Sequence, residues 1–103
     1  MVTVIFRAKM KPGKEDEALA KMRGMVEKVQ ANEPGALVYA FHRMQDDPLE
    51  LVFWEAYDDD DAFKAHARTA HISEMRGFFP ELFDTASVKL ERMERVAGFV
   101  RAG

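Results

Sequence analysis

Residues 2 to 9, VTVIFRAK, alternate so that Val2, Val4, Phe6 and Ala8 share one face, and their β-branched and aromatic content predicts a strand. KPGK at 11 to 14 ends it. From about Glu15 to Ala31 the period changes: Ala18, Leu19, Met22, Val26 and Val29 fall in one helical stripe, with Glu15, Lys21, Glu27 and Lys28 elsewhere. NEPG at 32 to 35 stops this helix, because Pro34 restricts Glu33 and Gly35 suits a turn. Two further strands follow, ALVYAFHRM (36 to 44) and LELVFWEAY (49 to 57), and the short QDDP link between them implies an antiparallel pair. Four aspartates at 58 to 61 stand where a second helix begins near Asp59, capping free backbone N–H groups and matching the positive end of the helix dipole. That helix is expected to break around Thr69, with HISEMRGFF continuing in a new direction up to Pro80. A last strand is predicted over Thr85 to Val96, ahead of a tail holding Phe99 and Val100.

The order β-α-β-β-α-β predicts an α+β, ferredoxin-like fold, with right-handed crossovers placing both helices on one face of a four-stranded antiparallel sheet. In the third strand Leu51 and Phe53 point one way while Val52, Trp54 and Ala56 point the other, and the second strand is apolar on both sides as well. The face without helices would expose several hundred Å² of apolar surface, near the limit for a monomer's largest patch. At about 25 cal/mol/Å², covering ~600 Å² is worth ~15 kcal/mol before association costs, so a homodimer packed sheet to sheet is expected.

Composition narrows the class. The 103 residues suit one domain, 1–103, and 48% hydrophobic against 32% charged residues is the balance of a globular chain. No apolar run approaches the roughly 20 residues of a membrane span, and the N-terminus lacks a signal-peptide pattern, so membrane insertion is not expected and a cytoplasmic location is. The absence of cysteine excludes disulfides, thiolate metal sites and thiol nucleophiles. A net charge of −3 argues against nucleic acid. A glycine-rich phosphate loop, a dinucleotide fingerprint and a serine elbow are all missing, so a nucleotide cofactor is not expected.

The candidate chemistry lies in AHARTAHISEM, residues 65 to 75. On one unbroken helix His66 and His71 would stand about 140° apart, whereas a chelating pair sits at i and i+4, so no metal site is expected. The aspartate run likewise lacks the alternating spacing, Gly and Glu of a calcium loop. If the helix breaks at Thr69 and Ala70, both imidazoles can turn toward one cavity between helices and sheet; otherwise His66 is half-exposed and His71 caps the second segment. Glu55 shares a strand face with Phe53 and Tyr57, and a buried carboxylate needs a partner such as Arg7 or a histidine, or an upward pKa shift. The aromatics Phe6, Tyr39, Phe41, Phe53, Trp54, Tyr57 and Phe63 are core or pocket wall, and His42 is a surface or interface residue.

The stretch EPGALVYAFHRMQDDPLELVFWEAYDDDDAFKAHARTAH (33 to 71), with KPGK near the start, resembles the antibiotic biosynthesis monooxygenase domain, a group of dimeric α+β-barrel proteins that includes small quinol monooxygenases. The resemblance implies oxidation of a quinol or related aromatic by O₂ without metal, flavin or haem. His66 or His71 would be the base, Glu55 would orient or polarise an imidazole, and Phe6, Tyr39, Trp54, Tyr57 and Phe63 would bind the substrate. Haem-degrading relatives carry an asparagine on the first strand and a tryptophan on the second helix; Phe6 and His66 stand at the corresponding positions here, which speaks against haem. Two alternatives stay open: an isomerase of a phosphorylated autoinducer-2-type sugar, whose group shows a similar strand-three and helix pattern and which would be anchored by Arg7, Arg43 or Arg68, and a non-catalytic barrel that binds a small hydrophobic ligand or a partner protein.

Overall fold

A computed structural model describes residues 1–101. The elements run β1 (Val2–Met10), α1 (Glu15–Asn32), β2 (Ala36–Arg43), β3 (Glu50–Tyr57), α2 (Asp60–Ala67), α3 (Ala70–Leu82) and β4 (Phe83–Met93). The four strands form one antiparallel sheet in the order β2-β3-β1-β4, the ferredoxin-like arrangement. Among the described residues no helix is long and apolar enough to cross a membrane.

Period-two alternation decides which side chains meet the helices. Phe6, Phe53 and Phe41 lie in one register across β1, β3 and β2, and Ile5, Trp54 and Ala40 in the next. The phenylalanine row faces α1 and α3, where Ala8, Met10, Leu51, Phe53 and Phe83 pack against Ala18, Met22, Met25, Ile72, Phe79 and Leu82. The row holding Trp54 lies on the opposite face, which no helix covers. Along α1 the fully buried stripe is Ala18, Met22, Met25 and Val29. Met25, absent from the expected stripe, takes the centre, and Leu19 and Val26 flank it half-buried.

The last third of the chain departs from expectation in two places. The helix does not stop at Pro80 but runs through it to Leu82. Proline removes one backbone donor, yet only two residues follow it, and burying Phe79, Leu82 and Phe83 outweighs that bond. Lys11 caps the helix's C-terminal carbonyls, its backbone N–H donating to the Leu82 carbonyl at 2.8 Å and its Nζ to the Pro80 carbonyl at 2.8 Å. Strand β4 accordingly starts at Phe83 and ends at Met93, rather than spanning 85 to 96. In the tail, Phe99 and Val100 are exposed.

Candidate active site

The sequence places a helix stop, a helix break and a close packing point around one cluster of side chains. Helix α1 ends at Asn32, and Glu33 follows with φ −125° and ψ 82°, outside the helical region as expected for the residue before Pro34. The next residue, Gly35, lies so close to α2 that a Cβ there would come within 2.8 Å of the Ala62 Cβ. Only glycine lets the 33–36 turn and the start of α2 approach this closely. Of the aspartate run, Asp59 is the cap, accepting from the Ala62 N–H at 2.8 Å.

The break between α2 and α3 falls at Thr69. Its hydroxyl donates to the His66 carbonyl at 2.8 Å and accepts from the Ile72 N–H at 3.3 Å, ending one helix and capping the next with a single side chain. Capping is therefore done by Thr69, not His71. The change of direction turns both imidazoles inward, and His66 and His71 are each 7% exposed, so neither is a half-exposed helix residue.

What joins them is Glu33, a residue the sequence reading did not single out. Its carboxylate lies 2.8 and 3.0 Å from His66 Nδ1 and 2.5 Å from His71 Nε2. Local spacing gives no hint of this contact, since Glu33 is 33 positions from His66. The available signals were its place at the head of the EPG motif and the need of two buried imidazoles for an acceptor. The ligand atoms of Glu33, His66 and His71 lie within 4.8 Å of one another, close enough for a shared cation. Within the structure the Glu33 carboxylate bridges the two rings by direct hydrogen bonds.

A carboxylate accepting at Nδ1 fixes the His66 tautomer and leaves its Nε2 bare. That nitrogen lies 3.9 Å from Glu55 Oε1. Glu55 in turn accepts a 2.6 Å hydrogen bond from the Tyr57 hydroxyl, and Arg7, the partner considered for it, lies on the other sheet face 3.8 Å from Glu91. Burial pushes the Glu55 carboxyl up to about 7, the nearby Glu33 charge adds to this, and the Tyr57 hydrogen bond opposes it. Burial holds His66 below its usual value, against the pull of Glu33. Tyr39 and Tyr57 are both raised, first by burial and then by the Glu55 charge.

Glu55 and His66 form the polar wall of a cavity of about 280 Å³ whose other walls include Phe6, Tyr39, Phe53, Phe63, Ile72 and Met75. The structure thus gathers Phe6, Tyr39, Phe63, Glu55 and His66 around one space. It does not bring the remaining candidates there. His71 lines a separate surface groove with Lys28, Asn32 and Glu74. Tyr57 is fully buried behind Glu55, with its ring against Phe63 and His66 at 5.3 and 5.1 Å. Trp54 is on the far face of the sheet, because strand alternation turns it away from Phe53 and Glu55. Arg76, not foreseen, is the cation in the cavity wall, and its Nη2 donates to the Ala67 carbonyl at 3.0 Å.

The two shifted groups give stability opposite pH slopes. Glu55 keeps a proton in the folded protein between 4.5 and about 7 that the unfolded chain releases, so stability falls as pH rises through that window. Integrated, this is about 3 kcal/mol at 1.36 kcal/mol per pKa unit. His66 does the reverse: below about 6.5 the unfolded chain takes a proton that the folded chain resists, and stability falls as pH drops. Glu55→Gln keeps an acceptor for Tyr57 and removes the first slope. Urea midpoints from pH 5 to 7.5 are expected to show the variant gaining about 2–3 kcal/mol on the native protein as pH rises; parallel curves would contradict the assignment.

The family model for antibiotic biosynthesis monooxygenase matches residues 1–77. No curated protein matches the chain. Among solved structures, PA3566 from Pseudomonas aeruginosa is 25% identical over 93% of this chain and 94% of its own, with a TM-score of 0.84. Rv0793 from Mycobacterium tuberculosis is also 25% identical, covering 94% of this chain and 96% of its own at a TM-score of 0.84. A structure solved as an antibiotic biosynthesis monooxygenase is 29% identical over 94% of this chain and all of its own, again at 0.84. With the motif, the fold and most of its length in agreement, this chain belongs to the antibiotic biosynthesis monooxygenase family.

Proposed function

We propose that the protein is a cofactor-independent monooxygenase that oxidises a quinol or a related aromatic with O₂. The observation that carries this reading is the aromatic-walled cavity with a bare imidazole nitrogen and a carboxyl group titrating near 7 on one side. An apolar space with few, convergent polar groups suits a planar aromatic, and a neutral histidine in reach of a phenolic hydroxyl is a general base. His66 Nε2 takes the hydroxyl proton, and the electron-rich anion passes one electron to O₂. The resulting radical pair joins as a ring peroxide, which loses water; one oxygen atom ends in a hydroxyquinone and the other in water, so that no external reductant is consumed. In this reading Glu33 orients the imidazole, the role first given to Glu55, and Glu55 protonates or deprotonates the reacting oxygens.

The phosphorylated-sugar alternative finds little support in the cavity. Its walls are mainly aromatic and aliphatic, Arg7, Arg43 and Arg68 are not among them, and the guanidinium that does line it, Arg76, already donates to the Ala67 carbonyl. The reading is tested with an oxygen electrode and ¹⁸O₂, using menadiol and simpler quinols. Enzyme-dependent uptake with one ¹⁸O atom in the product is expected. No uptake above the uncatalysed rate, or quinone formed with hydrogen peroxide and no incorporated oxygen, would refute it.

A second copy is part of the proposal. The uncovered sheet face presents Ile5, Ala40, Val52 and Trp54, none of them fully buried within one copy, and we place the homodimer contact there. Trp54 sits at the middle of this row and is the natural anchor residue. Trp54→Glu is expected to weaken self-association by roughly 2–4 kcal/mol, turning a dimer into a monomer at micromolar concentration in sedimentation. A native protein that sediments as a monomer would overturn the assembly.

A further inference from the structure

We propose that Glu33 and His71 form a proton passage linking His66 in the cavity to the outer groove. The inference rests on the cavity being a place where an aromatic hydroxyl ionises, and extends it to where the proton goes. His66 lines the inner cavity and His71 lines the outer groove, so the two residues border different spaces. Among the described residues the Glu33 carboxylate bridges them; its side chain is 9% exposed and touches both rings. The ring centroids are 6.5 Å apart, a separation one bridging carboxyl group spans.

Few other groups compete. Glu55 and the Tyr57 hydroxyl face His66 from β3, and Tyr39 packs on its ring from β2 at 5.6 Å. On the outer side Lys28 of α1 and Glu74 of α3 pair at 3.1 Å beside the groove. Holding a proton on His66 while the anion reacts with O₂ leaves a cation enclosed among aromatic rings, a cost the passage relieves until the reduced oxygen takes a proton back.

The passage balances with one proton in each Glu33 contact. A proton arriving at His66 Nε2 moves the Nδ1 proton onto Glu33 Oε1. His71 starts as an imidazolium whose Nε2–H donates to the Glu33 carboxylate at Oε2; as Glu33 takes up the proton at Oε1, the His71 Nδ1 proton leaves to groove water. One proton enters, one leaves, and no side chain ends charged. The reverse sequence returns a proton for the reduced oxygen and resets both rings.

The test uses 4-nitrocatechol, a coloured aromatic diol, so that it does not depend on oxygen chemistry. Stopped-flow pH jumps on the complex read how fast the bound probe ionises. His71→Ala is expected to slow this relaxation roughly tenfold or more with unchanged probe affinity, and millimolar imidazole, entering the groove, should restore it. Glu33→Gln keeps hydrogen-bonding capacity but cannot carry the proton, so it should be slow and not rescued. Unchanged relaxation in either variant, or slowing of His71→Ala that imidazole does not relieve, would overturn the passage, as would failure of the probe to bind. Where a variant does not fold, the native protein in mixed H₂O and D₂O decides: several protons in flight give a curved dependence, and a linear one is evidence against the passage. Expected relaxation behaviour without quinol-driven oxygen uptake would leave the passage standing and remove the monooxygenase reading.

Discussion

Replacing His66 with glutamine is expected to lower the turnover of any accepted quinol by 10²–10⁴-fold, the usual contribution of a positioned general base. The glutamine fills most of the ring's volume and retains a donor for Glu33, so the loss should appear in kcat more than in the binding of a product-like aromatic. The native profile should also lose activity on acidification, because His66 must be neutral to accept a proton; burial moves that loss below the ordinary histidine range. Activity persisting in His66→Gln within a factor of a few would take the base role away from this residue. Turnover measured alongside His71→Ala distinguishes the two: His66 touches the cavity and His71 does not, so full loss is expected only for the first.

Phe53→Ala should be the most damaging single change to the fold. Phe53 is 2% exposed on β3, which lies between β2 and β1. Its ring stacks on Phe41 at 5.2 Å and meets Phe6 and Tyr39 at 5.8 Å each. Truncation removes these contacts and opens space beside an existing cavity that the surrounding strands cannot close. A loss of about 3–5 kcal/mol follows from comparable truncations, with the ring pairs adding to plain area. For a domain of this size that is a fall in Tm of roughly 15–30 °C. A loss under about 1 kcal/mol in urea unfolding would show that the site relaxes freely, contrary to interiors packed at native density.

The substitutions together separate two sides of one sheet. Phe53, Glu55 and Tyr57 belong to the helix-covered side and Trp54 to the other, and the alternation LVFWEAY already says so. Placing Trp54 in the pocket followed from the family resemblance and ran against that alternation. The period-two rule held, because a strand cannot turn one residue around without a bulge, and the register of β1 with β3 is unbroken there. Tyr57 shows the complementary error: it is on the right face but lies one layer too deep, its hydroxyl serving Glu55 rather than the cavity.

The sequence by itself determined the elements and most of their ends up to Thr69, because these depend on neighbours along the chain; the end of α3 and the bounds of β4 followed from packing instead. Helical and strand periods, the stop at Pro34, the cap at Asp59 and the break at Thr69 are all read within a few residues, and the element order then leaves little choice of topology. Tertiary structure alone decided which polar groups meet. Glu33 reaches His66 and His71 because Gly35 lets its turn press against α2, a contact between segments far apart in sequence. Arg7 fails to reach Glu55 because the sheet lies between them, and His71 opens to a different space from His66 because Thr69 redirects the chain. Periodicity fixes which face a side chain takes; the depth, distance and partner of a buried charge come only from how the faces close on each other.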